Sequence, residues 1–123
     1  MGYSKEELEN LLKVSEDAAD VAVELKDHEG ISKLYHEDAV LIHSGSNATY
    51  GRKAIADNFV QLMKLFDKFV LKKGDIWEVN DAEYIVRKGE FRFDDNPKWM
   101  TYIQFYKRSE DGNYLIVYDK FDL

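Results

Sequence analysis

The spacing of apolar residues changes partway along the chain, from a helical repeat to an alternating repeat. Before about residue 66, apolar side chains recur every three or four positions, which is typical of amphipathic helices. From about residue 69 onward they alternate with polar side chains, which is typical of strands with one buried face. Helices followed by a run of strands predict an α+β fold, in which the helices cover one face of an antiparallel sheet.

Three helices are predicted in the first half. The first, over about residues 5–26, begins with a capping box, because Ser4 and Glu7 have the spacing at which each side chain bonds the free amide of the other residue. A short second helix is expected over about residues 27–35, whose first residue is an aspartate suited to capping it. A third helix follows Gly51. Its apolar stripe comprises Ile55, Phe59, Leu62, Met63 and Phe66.

Four strands are predicted in the second half, joined by turns that contain Asn, Asp, Gly or Pro. Residues 39–43 form a further strand candidate between the second and third helices. A length of 123 residues suits one hydrophobic core, so we expect a single domain, with three helices and then a four-strand meander. The meander strands are expected at about residues 69–79, 83–93, 99–108 and 114–122.

Charge and cysteine content exclude several classes of function. With 24 acidic and 17 basic residues, the net charge of −7 opposes binding to nucleic acid or to anionic membranes. The absence of cysteine excludes disulfides, thiol nucleophiles and thiolate metal sites. The polar start is unlike a secretory signal, and no apolar run approaches the roughly 20 residues of a membrane span. We therefore expect a cytoplasmic protein with neither nucleic-acid nor membrane partners.

Two of the three histidines flank a short apolar run in the stretch YHEDAVLIHSGSNATYG. His36, Asp38 and His43 together supply two imidazoles and a carboxylate, so a metal site is one interpretation. A helix end and a strand end seven residues apart need not converge, and we predict no metal. His43 remains open to two interpretations: a proton acceptor in a pocket, or a strand-end residue that bonds a backbone carbonyl.

The stretch LYHEDAVLIHSGSNATYGRKAI resembles the signature of SnoaL-like and ketosteroid-isomerase-like proteins of the nuclear transport factor 2-like superfamily. That signature has Tyr, two residues, Asp-Ala, an apolar strand, a loop, then Gly-Arg and a helix. The ending YKRSEDGNYLIVYDKFDL is similar to the last hairpin of the uncharacterised SnoaL-like branch. The resemblance covers nearly the whole chain. It implies a cone-shaped, curved antiparallel sheet wrapped around the long first helix, as in nuclear transport factor 2-like and cystatin-like folds.

The resemblance also implies positions for catalytic groups. The proton-abstracting carboxylate of ketosteroid isomerases falls at His43. Their two oxyanion donors fall near Ala19, which has no hydroxyl, and at Gln104, which is a weaker donor than an acid. Steroid isomerisation in that form is therefore not expected. The superfamily hosts isomerases, dehydratases, adaptors and non-catalytic members, so the resemblance predicts fold more sharply than function.

Strand alternation then indicates the walls of the implied cavity. Eight Tyr, seven Phe and two Trp are enough to line a cavity or to fill a core. We expect a mostly apolar, aromatic-lined cavity for a small molecule, with a few convergent polar groups and no cofactor. The residues expected to contact the ligand are Arg87, Phe91, Tyr102, Gln104 and Phe121.

Two residues are the candidates for catalysis. His43 is the expected base, and an adjacent Asp119 would fix its tautomer and raise its basicity. Arg87 and Asp119 leave three alternatives: a buried ion pair, an Arg87 that binds a ligand carboxylate, or side chains that serve structure or face solvent. A buried charged pair is costly without complete hydrogen bonding and would hint at a task, but alternation on short strands is often misread, so the last alternative is favoured for that pair.

The outward face of the same strands is unusually apolar. A contiguous apolar patch on a sheet usually marks a partner, and symmetric dimers are the commonest assembly, so we predict a homodimer. The residues expected in its interface are Ile103, Phe105, Ile116 and Tyr118. Two functions follow as hypotheses: a small-molecule site with proton-transfer chemistry, such as isomerisation or dehydration, or a non-catalytic homodimeric interaction or adaptor module.

Overall fold

The computed structural model describes residues 2–65 and 69–122, in which three α-helices precede and interrupt six β-strands. In chain order these elements are α1 Lys5–Glu24, α2 His28–Ser32, β1 Tyr35–His43, β2 Asn47–Tyr50, α3 Arg52–Leu65, β3 Phe69–Val79, β4 Tyr84–Phe93, β5 Met100–Arg108 and β6 Tyr114–Phe121. The predicted α+β class and the four long strands are confirmed. Phe66, predicted in the stripe of the third helix, lies outside the described residues.

Local capping explains where the first helix begins and ends. The Ser4 hydroxyl accepts a hydrogen bond from the Glu7 amide at 3.1 Å, and the Glu7 carboxylate accepts one from the Ser4 amide at 2.9 Å. The helix ends two residues earlier than expected, because Lys26 adopts a left-handed conformation with φ of 52°. Asp27 occupies the N-cap of α2 but makes no side-chain capping bond there. That helix is one short turn, and the chain is already extended at Tyr35.

The six strands form one curved, unclosed sheet with the order β2-β1-β6-β5-β4-β3. The meander from β3 to β6 is antiparallel, as predicted. The sheet differs from the expected one in two respects. The pairing between β1 and β6 is parallel, and β2 adds an edge strand where the sequence predicts a loop followed directly by a helix.

A β-bulge in β6 decides which side chains of that strand point inward. Phe105 pairs with Tyr118 while the next residue of β5, Tyr106, pairs with Ile116, so Val117 is an extra residue between them. Because the bulge resets the alternation, Ile116 and Asp119 both lie on the inner face. Ile116 is 2% exposed within the core, so its predicted place on the outer, dimer-forming face is wrong.

The core lies between the helices and the inner face of the sheet. Leu8 and Leu12 of α1 belong to the same buried cluster as Ile55 of α3 and Ile85 of β4. Fully burying each such side chain contributes about 1.5–3 kcal/mol, which holds α1 across the concave side of the sheet. None of the helices in the described part of the chain has both the length and the apolar character needed to cross a membrane.

Candidate functional site

A cavity of about 120 Å³, here named the inner chamber, lies between α1, α3 and the inner face of strands β3 to β6. Its polar groups include Gln104 of β5 and Asp119 of β6, which lie directly opposite each other in the sheet. The rest of the wall is mostly apolar and aromatic, with the charged residues Glu16, Asp20 and Lys73 also among its lining side chains. It includes Phe59, Leu62, Phe69, Phe91, Tyr102 and Phe121.

Asp119 is a buried carboxylate, only 4% exposed, at the wall of the inner chamber. The Tyr35 hydroxyl donates a hydrogen bond to its Oδ2 at 2.7 Å, and Gln104 Nε2 donates another to the same oxygen at 3.2 Å. Burial raises the pKa of Asp119 to about 6, because desolvation penalises the ionised form more than the two hydrogen bonds favour it. The side chain is therefore a base whose pKa lies close to neutral pH.

A chain of hydrogen bonds orients the groups around this carboxylate. The Tyr106 hydroxyl donates to Gln104 Oε1 at 3.1 Å, so the Gln104 amide turns its NH₂ group toward Asp119. Burial and nearby carboxylates raise the pKa values of Tyr35 and Tyr106 well above the ordinary tyrosine value, so both hydroxyls stay protonated donors. No ion pair among the described residues reaches Asp119, so neutral donors alone stabilise its charge.

Tyr102 places a second hydroxyl group at the inner chamber. Its ring lies over Gly89, where an added Cβ would be 2.7 Å from the tyrosine oxygen, so glycine leaves the space that this ring occupies. Burial raises the pKa of Tyr102 to about 12, and the hydroxyl remains protonated. Tyr102 pairs with Phe121 and is thus the diagonal neighbour of Asp119. The backbones of diagonal neighbours on one sheet face are about 7–8 Å apart.

Arg87 does not take the role that the sequence suggested for it. Its side chain is fully buried, and its Nε and Nη2 donate to the two carboxylate oxygens of Glu16 at 3.1 Å each. Further bonds run to Glu9 and to the Gly74 carbonyl oxygen. Burial by itself lowers the pKa of Arg87, but its bonds to the two glutamates outweigh burial and raise it. Carboxylates of α1 bind the guanidinium. The predicted pairing of Arg87 with Asp119 and the predicted contact of Arg87 with a ligand are therefore both wrong.

His43 lies outside the ring of side chains that line the inner chamber. In the parallel pairing of β1 with β6, Leu41 is opposite Asp119 and His43 is opposite Phe121. His43 is thus offset by two residues, about 6.6 Å along the strand, from the position opposite Asp119. Its imidazole ring stacks on the Phe121 ring, with the ring centroids 5.0 Å apart, and does not pair with the carboxylate. The expected pairing of His43 with Asp119 is therefore wrong, since Tyr35 and Gln104 occupy that place.

Two residues that shape the site, Glu16 and Tyr35, are not predicted from the sequence. Glu16 repeats at four-residue spacing with Leu8 and Leu12, a helical signal that would have placed it on the buried face of α1. The sequence predicts that Tyr35 ends the second helix, and only the long-range pairing of β1 with β6 brings its hydroxyl to Asp119. Within the described ranges, no three His, Cys, Asp or Glu side chains are grouped so that they could hold a metal ion.

Comparison with known proteins identifies the family of this chain and solved structures that share its fold. A family model described as the SnoaL-like domain matches residues 16–117. No curated protein matches the sequence. A ketosteroid isomerase-like protein from Erwinia carotovora atroseptica has a similar structure, with a TM-score of 0.71, 15% identity and coverage of 97% of each chain.

Two further solved structures extend the comparison. A protein of unknown function from Pectobacterium atrosepticum reaches a TM-score of 0.76 at 16% identity, covering 94% of this chain and 90% of its own. A protein of unknown function with a cystatin-like fold from Nostoc punctiforme reaches 0.73 at 7% identity, covering 99% of this chain and 94% of its own. At such low identity these likenesses establish the fold and leave the function to the site itself.

Proposed function

We propose, since the chain belongs to the SnoaL-like domain family, that it binds a small and mostly apolar molecule in the inner chamber, where Asp119 exchanges a proton with it. One observation carries this proposal: a buried carboxylate with a pKa of about 6 faces an apolar cavity and has only neutral hydrogen-bond donors. A carboxylate that served structure alone would be more stable with a cation beside it, as Glu16 is with Arg87.

The chemistry best suited to this site is proton abstraction next to a carbonyl group. Both hydrogen bonds to the Asp119 carboxylate end on Oδ2, which leaves Oδ1 to accept a proton from a bound carbon acid. The Tyr102 hydroxyl, across the diagonal of the sheet, would donate a hydrogen bond to the enolate oxygen as its charge develops. Asp119 then returns the proton to a different carbon, which is an isomerisation, or assists the loss of water, which is a dehydration.

In this proposal Asp119 replaces His43 as the base. A base with a pKa near the working pH is largely ionised yet still basic enough to take a proton, which is the compromise that general base catalysis requires. The ligand contacts proposed for Phe91, Tyr102, Gln104 and Phe121 are supported by their positions, since all four line the inner chamber. The apolar wall excludes water and so strengthens the hydrogen bonds to the reacting oxygen.

The test is deuterium incorporation at the α-carbon of cyclopentanone and cyclohexanone in D₂O, followed by NMR. We expect the protein to accelerate exchange above the rate in buffer, Asp119→Asn to reduce it to that rate, and Tyr102→Phe to slow it by about a hundredfold. Asp122→Asn is the matched control, because this exposed aspartate follows the same strand and should leave exchange unchanged. Binding of the ketones without exchange would contradict the catalytic step, and absence of binding would contradict the proposal as a whole.

A second proposal concerns the outer face of the sheet, where four side chains form a continuous row across four strands. Their order, from direct cross-strand pairs, is Trp77, Val86, Phe105 and Tyr118. The rings of Phe105 and Tyr118 meet edge to face at 5.2 Å. Val86 is only 1% exposed, so the members of the row that a partner could contact are Trp77, Phe105 and Tyr118. With the half-buried Ile103 on the same strand as Phe105, these side chains support a homodimer through the outer face. Such a dimer is compatible with a ligand site on the inner face.

A further inference from the structure

A second cavity adjoins the inner chamber and bears on the kind of substrate. This outer chamber, of about 690 Å³, lies between the C-terminal half of α1, the segment from α2 to β1, and α3. The two cavities share six lining residues: Ala19, Asp20, Phe59, Phe69, Leu71 and Gln104. Because one set of side chains borders both cavities, the two cavities lie directly next to each other.

The two volumes suit different parts of one ligand. Pockets for small organic molecules usually enclose about 300–1,000 Å³, so the inner chamber, at about 120 Å³, holds only a compact group. The outer chamber lies within the usual range. A ligand that fills the inner chamber alone would bury little surface and bind weakly, since burial of apolar surface is the main source of affinity in such a site.

The walls of the outer chamber indicate the chemistry of the remaining part. Its floor is apolar and includes Val23, Ile31 and Leu34. Its charged residues are Asp20, Glu24 and Lys26, all on α1 or directly after it. Two of these three are acidic, so the chamber does not favour an anionic tail. An uncharged apolar chain or ring system fits both the floor and this charge balance.

We propose, on the basis of the proposed function, that the substrate is a neutral two-part molecule. A compact carbonyl head group occupies the inner chamber beside Asp119, and an extended apolar tail occupies the outer chamber. Val23 and Leu34 line the outer chamber and not the inner one, so they determine the length of tail that is accepted. Asp119 and Tyr102 determine the chemistry of the head group.

The test uses a series of neutral methyl ketones from 2-butanone to 2-dodecanone, which share one head group and differ in tail length. We expect the Kd, measured by ligand-observed NMR, to fall by up to about fourfold per added methylene until the outer chamber is full. Val23→Trp should remove this length dependence, so that 2-dodecanone binds no more tightly than 2-butanone. Val21→Trp is the matched control, because Val21 is on the same helix but is 56% exposed and lines neither chamber.

Leu34→Trp provides a second obstruction from the opposite wall, should Val23→Trp reduce folding as judged by circular dichroism. A Kd that does not depend on tail length in the wild type would overturn this inference. It would leave the proposed function intact if 2-butanone still exchanged deuterium in an Asp119-dependent manner. Conversely, length-dependent binding without any exchange would support the two-part ligand and overturn the catalytic role of Asp119.

Discussion

Arg87 of β4 and Glu16 of α1 form a two-point ion pair in the interior, with Nε to Oε2 and Nη2 to Oε1 distances of 3.1 Å each. The pair joins the first helix to the middle of the sheet, because Arg87 is fully buried and Glu16 is 7% exposed. Glu16 also lines the inner chamber, one turn before Ala19 and Asp20 on the same helix. The ion pair therefore sets the distance between the helix wall and the sheet wall of the site.

Loss of one partner of this pair should strongly destabilise the fold. We expect Glu16→Leu to lower the free energy of unfolding by about 3–5 kcal/mol, because it leaves a buried guanidinium short of a carboxylate. The double variant Glu16→Leu with Arg87→Met should recover much of that loss, since no buried charge remains unpaired. Urea denaturation measures both. Lys13→Ala serves as the control: it removes an exposed pair on the same helix, 3.0 Å from Asp17, and should cost less than about 1 kcal/mol. Equal losses for the two pairs would contradict a buried, fold-determining contact.

The raised pKa of Asp119 predicts a characteristic dependence of stability on pH. An unfolded aspartate has a pKa of about 3.9, whereas Asp119 in the folded protein has a pKa of about 6. The folded state thus holds this proton more tightly, and the wild type loses stability as the pH rises from about 4 to about 6. Asp119→Asn cannot ionise, so the stability of the variant relative to the wild type should increase over that window by on the order of 3 kcal/mol.

Denaturation at several pH values between 4 and 8 measures this difference, which should become constant above about pH 7. Asp122→Asn is a control with the opposite sign, since hydrogen bonds from Thr101 and Ser44 lower the pKa of Asp122 in the folded protein. Its stability relative to the wild type should fall, not rise, as the pH increases through the acidic range. A parallel pH profile for Asp119→Asn and the wild type would contradict the raised pKa.

The hydrogen bond from Tyr35 should hold the pKa of Asp119 below the value that burial alone would produce. We expect Tyr35→Phe to raise this pKa by about one to two pH units, because a hydrogen bond to a charged group contributes about 1.5–3 kcal/mol. Carbon-13 NMR titration of the labelled carboxyl group measures the change. Tyr50→Phe, at a residue that is 74% exposed, should have no effect. An unchanged or lower pKa in Tyr35→Phe would show that the bond does not stabilise the ionised form.

The outer-face row predicts a dimer that a single charge should break. Phe105→Glu places a carboxylate in the middle of the row, between Val86 and Tyr118, and desolvation of that charge should weaken self-association by more than about a hundredfold. Light scattering coupled to size-exclusion chromatography gives the mass. Val14→Glu, on the exposed side of α1 with 63% exposure, should leave the dimer intact. A wild-type chain of monomeric mass would refute the interface.

The sequence alone determined the elements whose signals are local. Alternation and turn residues placed β3 at residues 69–79 and the other three meander strands within about a residue of their observed bounds. The capping box at Ser4 likewise needs only four consecutive residues. Such features are predictable because each depends on the conformational preferences of neighbours in the chain. Alternation taken together with the family resemblance predicts that Tyr102 and Gln104 face inward, and both residues line the inner chamber on a regular stretch of β5.

Only the tertiary structure decided the electrostatics of the site. The partner of Asp119 depends on the parallel register of β1 against β6, which places Leu41, and not His43, opposite the carboxylate. The inward position of Ile116 depends on the bulge at Val117. The pairing of Arg87 depends on the docking of α1, which brings Glu16, 71 residues earlier in the chain, into contact with it. Register, bulges and helix docking are set by packing between distant segments, and a one-residue change in strand register or in the position of a bulge moves side chains to the opposite face of the sheet.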